Sequence, residues 1–411
     1  MNYSCHSFRR KLLVTAVSLV IPVTVNAESS NADLQQQLDA LQNQVTALNS
    51  EVQQAAEWKN PNTLVHMAGY ADVGFISTEN ANDSFVAGTF APILHYQYRD
   101  AVMMEAELEF EVGEDGGTEV ALEYMTIDWF MSDYAVLVAG KFLSPVGQFR
   151  QNLHPSWINK LASAPPGFGH DGAAPVSDLG FQLRGGFPLG NMRANYAVYA
   201  SNGPEINSEA ESDDATGVVG YELDGVAAEG FGADVDGEKT WGGRIGILPI
   251  ASVEIGLSLA TGMATVTNVE GNEQLFNDKI VGPLSGETAR DYDVIGADFV
   301  WLTGNMSLRG EYVKTEVGEA TTGVTASEAA EWTTWYTQAA YRLPNTKWEG
   351  VLRYTDYDSP HASVDQKQTA IGVNYLVSNN FMVKLTHELN DGLDGANSDI
   401  DRTLLQLAYG F

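Results

Sequence analysis

Arg402-Thr403-Leu404-Leu405-Gln406-Leu407-Ala408-Tyr409-Gly410-Phe411 ends the chain. Thr403, Leu405, Leu407, Tyr409 and Phe411 form an unbroken apolar or aromatic row, and Arg402, Gln406 and Gly410 lie on the other face. A period of two is the period of a β-strand with its two faces in different media. One alternating decapeptide decides little. The same period, however, recurs along the whole chain from Leu64 onward.

The first residues set the destination. Arg9, Arg10 and Lys11 precede an apolar run from Leu12 to Val25, and Val25-Asn26-Ala27 supplies a small-residue cleavage site, so residues 1–27 read as a secretory signal peptide. The one cysteine, Cys5, leaves with it. No later stretch approaches the roughly 18 to 20 unbroken apolar residues of a membrane-spanning helix. With 40 glycines, 10% aromatic residues and a mean hydropathy of -0.15, the composition suits strands whose apolar face is diluted by a polar one. The formal net charge of -32 excludes nucleic acid as a partner.

Residues 28–58 carry Leu34, Leu38, Leu41, Val45, Leu48 and Val52 at alternating spacings of four and three, the seam of a short coiled coil. Residues 59–63 form a linker. Sixteen alternating segments follow, at about 64–76, 88–98, 102–112, 118–130, 133–141, 178–187, 192–201, 240–249, 252–262, 291–302, 305–315, 331–342, 347–357, 367–377, 380–390 and 401–411. Most are long enough for a tilted strand to cross the hydrocarbon layer. The connections between them alternate longer loop and tight turn along the whole series, as an even-stranded barrel with both termini on one side requires. The expected fold is therefore all-β: a sixteen-stranded antiparallel transmembrane β-barrel over 64–411, preceded by a short N-terminal α-helical coiled coil.

Alternation also assigns faces. Met306, Leu308, Gly310 and Tyr312 should meet lipid, with Ser307, Arg309 and Glu311 inside; Trp348, Gly350, Leu352 and Tyr354 alternate in the same way with Glu349, Val351 and Arg353. Trp241, Trp301, Trp335, Trp348, Tyr341, Tyr375, Tyr409 and Phe411 fall near strand ends on outward rows, where amphipathic rings suit the headgroup level. By the same parity Glu105, Glu107, Glu109 and Glu111 face the lumen from one strand, and Arg184, Arg193, Arg244, Arg309, Arg342, Arg353 and Arg402 do so from later ones. Acids on one sector and arginines around the remainder would set a transverse field across a pore. For any single pair, such as Arg309 with Glu349 or Glu311 with Arg353, simple wall pairing is an equal expectation.

Signal peptide, strand count, loop parity, terminal Phe411 and long third loop together resemble the sixteen-stranded outer-membrane porins of Gram-negative bacteria. The segment GKFLSPVGQFRQNLHPSWINKL, Gly140 to Leu161, is similar to one seen in the phosphate-selective porin O/P-like group. The resemblance implies a third loop that folds into the barrel. The loop's own residues agree, since 142–177 hold Phe142, Leu143, Val146, Phe149, Leu153, Trp157, Ile158, Leu161 and Phe168, an unusual load for a solvated loop. A short helix is expected at Ser156 to Leu161. Arg150, His154, Lys160, His170 and Asp171 are the loop's candidates for the constriction, opposite Glu107, Glu109, Arg184 and Arg193 on the wall.

The resemblance does not carry anion selectivity with it, because the loop at 202–239 holds eleven acids and no base between Glu205 and Glu238. An acidic mouth concentrates cations within a Debye length of about 8 Å. No enzyme, cofactor or metal is expected. His387 sits on a lipid-facing row without a serine partner, and His66 with His95 lacks a third ligand. The reading is a porin for passive diffusion of small hydrophilic solutes or ions, expected as a homotrimer among lipid and lipopolysaccharide and delivered through its C-terminal strand to the barrel-assembly machinery. The alternatives are a ligand-selective uptake channel, for a metal chelate or small nutrient, and an envelope-tethering protein whose coiled coil contacts peptidoglycan or a periplasmic partner.

Overall fold

The computed structural model describes residues 63–79, 82–113, 116–170, 172–212, 219–270, 286–323, 325 and 328–411. The signal peptide, the coiled-coil seam from Leu34 to Val52 and Asp171 lie outside them. Among the described residues no helix is long and apolar enough to cross a membrane.

Eighteen strands follow one another: β1 (Thr63–Thr78), β2 (Ser84–Tyr98), β3 (Val102–Val112), β4 (Thr118–Ser132), β5 (Ala135–Leu143), β6 (Ser177–Leu189), β7 (Met192–Ser201), β8 (Glu205–Ser212), β9 (Val219–Ala227), β10 (Thr240–Ile250), β11 (Val253–Glu270), β12 (Arg290–Thr303), β13 (Met306–Val317), β14 (Ala330–Arg342), β15 (Trp348–Asp358), β16 (Gln366–Ser378), β17 (Phe381–Gly392) and β18 (Arg402–Gly410). Sixteen of them make the barrel, each antiparallel to its chain neighbour, with β7 pairing β10 and β18 pairing β1 to close the ring. Every alternating segment of the sequence becomes one of these strands. The exceptions to the expected plan are β8 and β9, a hairpin inside the acidic loop, with β8 running parallel to the far end of β11. Alternation is weak there, and glycines and acids disguised the strands.

Closure is what a barrel in hydrocarbon depends on, because an open edge would leave a row of backbone groups without partners. The seam runs from Tyr70 opposite Gly410 to Thr78 opposite Arg402. Gly69 and Phe411 extend it with reciprocal backbone hydrogen bonds of 3.0 and 2.9 Å. At φ +154 a Cβ on residue 69 would lie 2.4 Å from the Ala91 carbonyl and 2.7 Å from the Phe411 ring, so only glycine fits. The Phe411 ring stacks on Phe90, which in turn meets Phe110 on β3.

Burial follows the expected faces. Along β15, Trp348, Gly350, Leu352 and Tyr354 are exposed on the outer row while Glu349, Val351, Arg353 and Thr355 are buried inside. His387 likewise points out, sharing a contact with Thr403.

The third loop, residues 144–176, holds one short helix, α1 (Phe149–Asn152). The expected helix at Ser156 to Leu161 is absent. Ile158 N and Asn159 N both donate to the Pro155 carbonyl in a single turn, and the carbonyls that would continue it are taken by the wall: Lys384 Nζ donates to Ser156 and Leu161, and Asn374 Nδ2 to Lys160.

Deleting Phe411 removes both seam hydrogen bonds and the stack on Phe90. The expected result is a clearly lower temperature for loss of the folded, heat-modifiable band in detergent, by several degrees for a loss of about 1–3 kcal/mol.

Candidate functional site

The third loop lies against lumen-facing side chains of one half of the wall, β11 to β17. Gly147 N donates to Ser258 Oγ at 3.1 Å, Gln148 Nε2 to Asp298 Oδ1 at 2.8 Å, and Phe149 N to Glu311 Oε2 at 3.0 Å. Further along, Ala162 N meets Thr386 Oγ1, Thr334 Oγ1 meets the Pro166 carbonyl, and Thr315 Oγ1 meets that of Ala173. Arg353 donates to the carbonyls of Ser163 and Ala164 at 3.0 and 3.1 Å.

Small wall residues make room for the loop. A Cβ on Gly372 would sit 2.6 Å from Leu161, and one on Gly410 2.6 Å from the Trp157 ring. Phe149 and Phe168 pack on each other and on Tyr336, within a buried cluster that also takes in Val313 and Trp332. Each fully buried aromatic or leucine contributes roughly 1.5–3 kcal/mol, against a net 0.5–1.5 for a hydrogen bond. Apolar packing therefore holds the loop, and the hydrogen bonds fix its register.

The β8–β9 hairpin covers the loop from the other side. Val176 N and Ser177 N both donate to the Ala228 carbonyl at 3.0 Å, and Trp332 Nε1 reaches the Asp224 carbonyl. Ile206, Leu223 and Val226 are buried in the same cluster as Phe168. The acidic loop thus turns its apolar residues inward instead of standing free in solvent.

On the opposite side of the lumen the carboxylates of β3 are drawn into one network. Tyr70 Oη donates to Glu107 at 2.8 Å and to Glu109 at 2.9 Å, Tyr124 Oη to Glu105 at 2.8 Å, and His95 Nε2 approaches Glu105 at 3.1 Å. Arg150 and His154, from the loop, face this wall: Arg150 lies 3.8 Å from Glu123 and His154 3.5 Å from Glu107. Burial lowers Arg150 below the ordinary guanidinium range, partly offset by Glu123 and Glu109. Burial also opposes charge on His154, but the neighbouring Glu107 carboxylate prevails and raises it. Glu111 stands apart, accepting from Thr89 at 3.0 Å.

The arginines do not form an uninterrupted basic sector, a correction to the expected division of charge. Arg184 bonds Asp128 at 2.6 Å, Arg244 bonds Asp298 at 2.6 Å and Glu254 at 3.0 Å, and Arg402 bonds Glu388 at 2.7 Å. Neither expected wall pair forms. β14 separates Arg309 from Glu349, which instead takes Lys160 at 2.5 Å, and Glu311 and Arg353 both serve the loop. Arg309 lines a narrow cleft beneath the loop with Lys160 and Tyr336. Arg193 is exposed, opposite Pro188 and Leu248, and Arg342 is likewise exposed at the end of β14.

Sequence parity missed Asp128, Glu254, Asp298 and Lys384 as partners, although each sits on an inward position. Their strands carried the signal; the register that pairs them did not. His66 and His95 do meet, with Nδ1 atoms 3.3 Å apart, but no group of three metal-capable side chains occurs among the described residues.

Two adjoining cavities, of about 260 and 430 Å³, lie between the loop and the wall of β2 to β11, and share Gln151, Asn152, Gln182 and Arg184. A third cavity, of about 290 Å³, lies on the other side of the loop, lined by Gly167 and His170 with Tyr357, Gln368 and Arg402 of the wall.

Residues 260–409, from the middle of β11 through nearly all of β18, match the family model "Phosphate-selective porin O and P". No curated protein matches. Among solved structures the chain is similar to an anion-selective porin from Comamonas acidovorans, at 15% identity over 85% of this chain and 100% of that one, with a TM-score of 0.55. A loop-deletion variant of the outer-membrane protein OmpT of Vibrio cholerae gives the same TM-score and coverage at 9% identity. OmpT in a trimer form follows, at 11% identity over 85% of this chain and 99% of that one, with a TM-score of 0.52. These similarities establish the porin barrel fold.

Two expectations follow. Replacing Lys384 with Met leaves the Ser156 and Leu161 carbonyls without a donor, at a cost of about 1–3 kcal/mol. Limited proteolysis should then cut between Ser156 and Ser163 faster than in the native protein. The second concerns His170, whose Nδ1 lies 2.5 Å from Glu229 Oε1 beyond β9. The hydrogen bond to Glu229 raises His170 above its ordinary 6.5 and lowers Glu229 below its ordinary 4.5. The His170 contribution is complete below 6.5 and fades as pH rises through its raised value, while that of Glu229 is complete above 4.5 and fades as pH falls through its lowered one. The exposed ring keeps the effect small. Hydrogen exchange around His170, corrected for intrinsic rates, should be slower at about pH 5.5 than at about pH 8.5, and His170→Asn should abolish the difference.

Proposed function

We infer that the protein is an outer-membrane porin, a water-filled channel through which small hydrophilic solutes and ions diffuse passively across the Gram-negative outer membrane. The observation that carries this reading is the combination of a closed sixteen-stranded barrel with an apolar outer row and a polar lumen narrowed by its third loop. A lumen lined by ion pairs and amides has no reason to exist in a barrel filled for stability alone.

The constriction is the recess between α1 and the wall of β3 to β6. Glu105, Glu107, Glu109 and Arg184 line or border it, with Arg150 and His154 supplied by the loop. Arg244 belongs to the adjoining cavity. Lys160, Arg309, Arg353 and Arg402 hold or flank the loop and act on permeation only by keeping it seated. Because Arg150, Arg184, Arg244 and Arg402 each have a carboxylate neighbour, mixed-sign solutes are tolerated and the β3 acids tilt the channel toward cations. Association as a homotrimer is supported by the trimer form of a fold relative.

Purified protein in a planar bilayer should give stepwise conductance, and a potassium chloride gradient should give a reversal potential of the sign for mild cation preference. Arg184→Ala should enlarge that preference. A bilayer that never conducts would rule out the channel, whereas a reversal potential of opposite sign would rule out only the charge assignment.

A further inference from the structure

We propose that the recess between α1 and the wall of β3 to β6 is a subsite for zwitterionic amino acids and short peptides. The proposal rests on the channel reading and adds a substrate class to the same site.

Gln182 is the starting observation. Its side chain is 1% exposed, and both its Oε1 and Nε2 are buried without a hydrogen-bond partner. It nevertheless lines both adjoining cavities. A buried amide with neither atom satisfied costs about 1–3 kcal/mol per group. A solute that offers a donor and an acceptor side by side would recover that cost, and a peptide or primary amide has this arrangement.

The charges on either side define the rest of the solute. Glu105 lines the smaller cavity, is 26% exposed, accepts a hydrogen bond from Tyr124 and lies 3.1 Å from His95 Nε2, contacts that fix its carboxylate without covering it. Arg184 lines the same cavity, is 46% exposed, and reaches Asp128 through Nη2. A guanidinium has five N–H donors, so its fork retains capacity for a second carboxylate. By contrast Arg244, in the neighbouring cavity, spends Nε and both terminal nitrogens on Asp298, Asn195 and Glu254. One accessible anion and one accessible cation thus face the same space with an unsatisfied amide beside Arg184. β3 and β6 are three strand steps apart, about 14 Å at the wall, and both side chains lean into one cavity.

A simple anion would meet Glu105 and the buried Glu107, and a simple cation would meet Arg184. Only a solute with opposite charges at its two ends avoids both penalties. At about 260 Å³ the smaller cavity is below the roughly 300–1,000 Å³ typical of drug-sized pockets, which restricts the class to small molecules.

The test uses three probes of similar size on the full-length protein in planar bilayers: glycylglycine, which has both charges; N-acetylglycine, an anion; and glycylglycinamide, a cation. Glycylglycine should interrupt the current at concentrations at least about tenfold lower than either of the others. Gln182→Leu should raise its half-blocking concentration about tenfold. Arg184→Gln should bring glycylglycine and glycylglycinamide to the same potency, and Glu105→Gln should do so for glycylglycine and N-acetylglycine. Heat-modifiable migration verifies that each variant is folded. Equal block by all three probes, or strongest block by N-acetylglycine, would overturn the proposal. A silent bilayer would remove the channel reading alone. Calorimetric titration of glycylglycine into detergent-solubilised protein then decides the subsite separately, with absence of binding counting against it.

Discussion

Every backbone N–H and C=O in contact with hydrocarbon needs a partner within the protein, and the rest of this molecule is arranged around that requirement. It dictates the closed ring and places the last strand beside the first. It also explains why Gly69 and Phe411, at the rim of the seam, exchange hydrogen bonds just beyond the last paired strand residues. Once the ring is closed, alternation leaves no freedom, because each strand must send one row to lipid and the other to the lumen. The lumen inherits whatever polar residues the inward rows carry, and these must in turn be satisfied.

Satisfying them is the work of the third loop. Lys384, Arg353, Glu311 and Asn374 point into the lumen from four different strands, and each finds a backbone group or side chain of residues 147–164. The loop's register is fixed through its own carbonyls and amides, so its side chains are free to present apolar residues to the cluster around Tyr336 and Trp332. Where the loop packs on the wall the lumen is filled, and the recesses lie to either side of it. Position, size and charge of the passage therefore follow from where the loop is anchored.

Much of this was legible in the sequence because a period of two survives in a single chain. Glu105 to Glu111 could be assigned to the lumen from VMMEAELEFEV alone, and the strand limits hold to within a few residues at most ends. Pairing was not legible, because it depends on register between strands, which alternation does not encode. Arg184 therefore looked like a free cation when Asp128, two strands away, takes one of its terminal nitrogens. The helix expected at Ser156 failed for a related reason: carbonyls that favour a helix locally are taken by Lys384 and Asn374, more than 200 positions away. The β8–β9 hairpin was hidden because its acids gave the segment the look of a solvated loop, while Ile206, Leu223 and Val226 are what anchor it.

The same long-range anchoring bears on the order of assembly. Arg150 and His154 face the earlier strands β3 and β4, but the other wall anchors of residues 147–164 lie on later ones, separated by 111 positions for Ser258 and by 225 for the contact between Ser163 and Glu388. Contacts of such separation are costly in chain entropy until the intervening strands are in place. The narrowing of the lumen thus depends on the C-terminal half of the wall, because the surface that seats the loop exists only where those strands are paired. The chain's last strand, which seals the ring, also completes the surface against which Trp157 comes to rest.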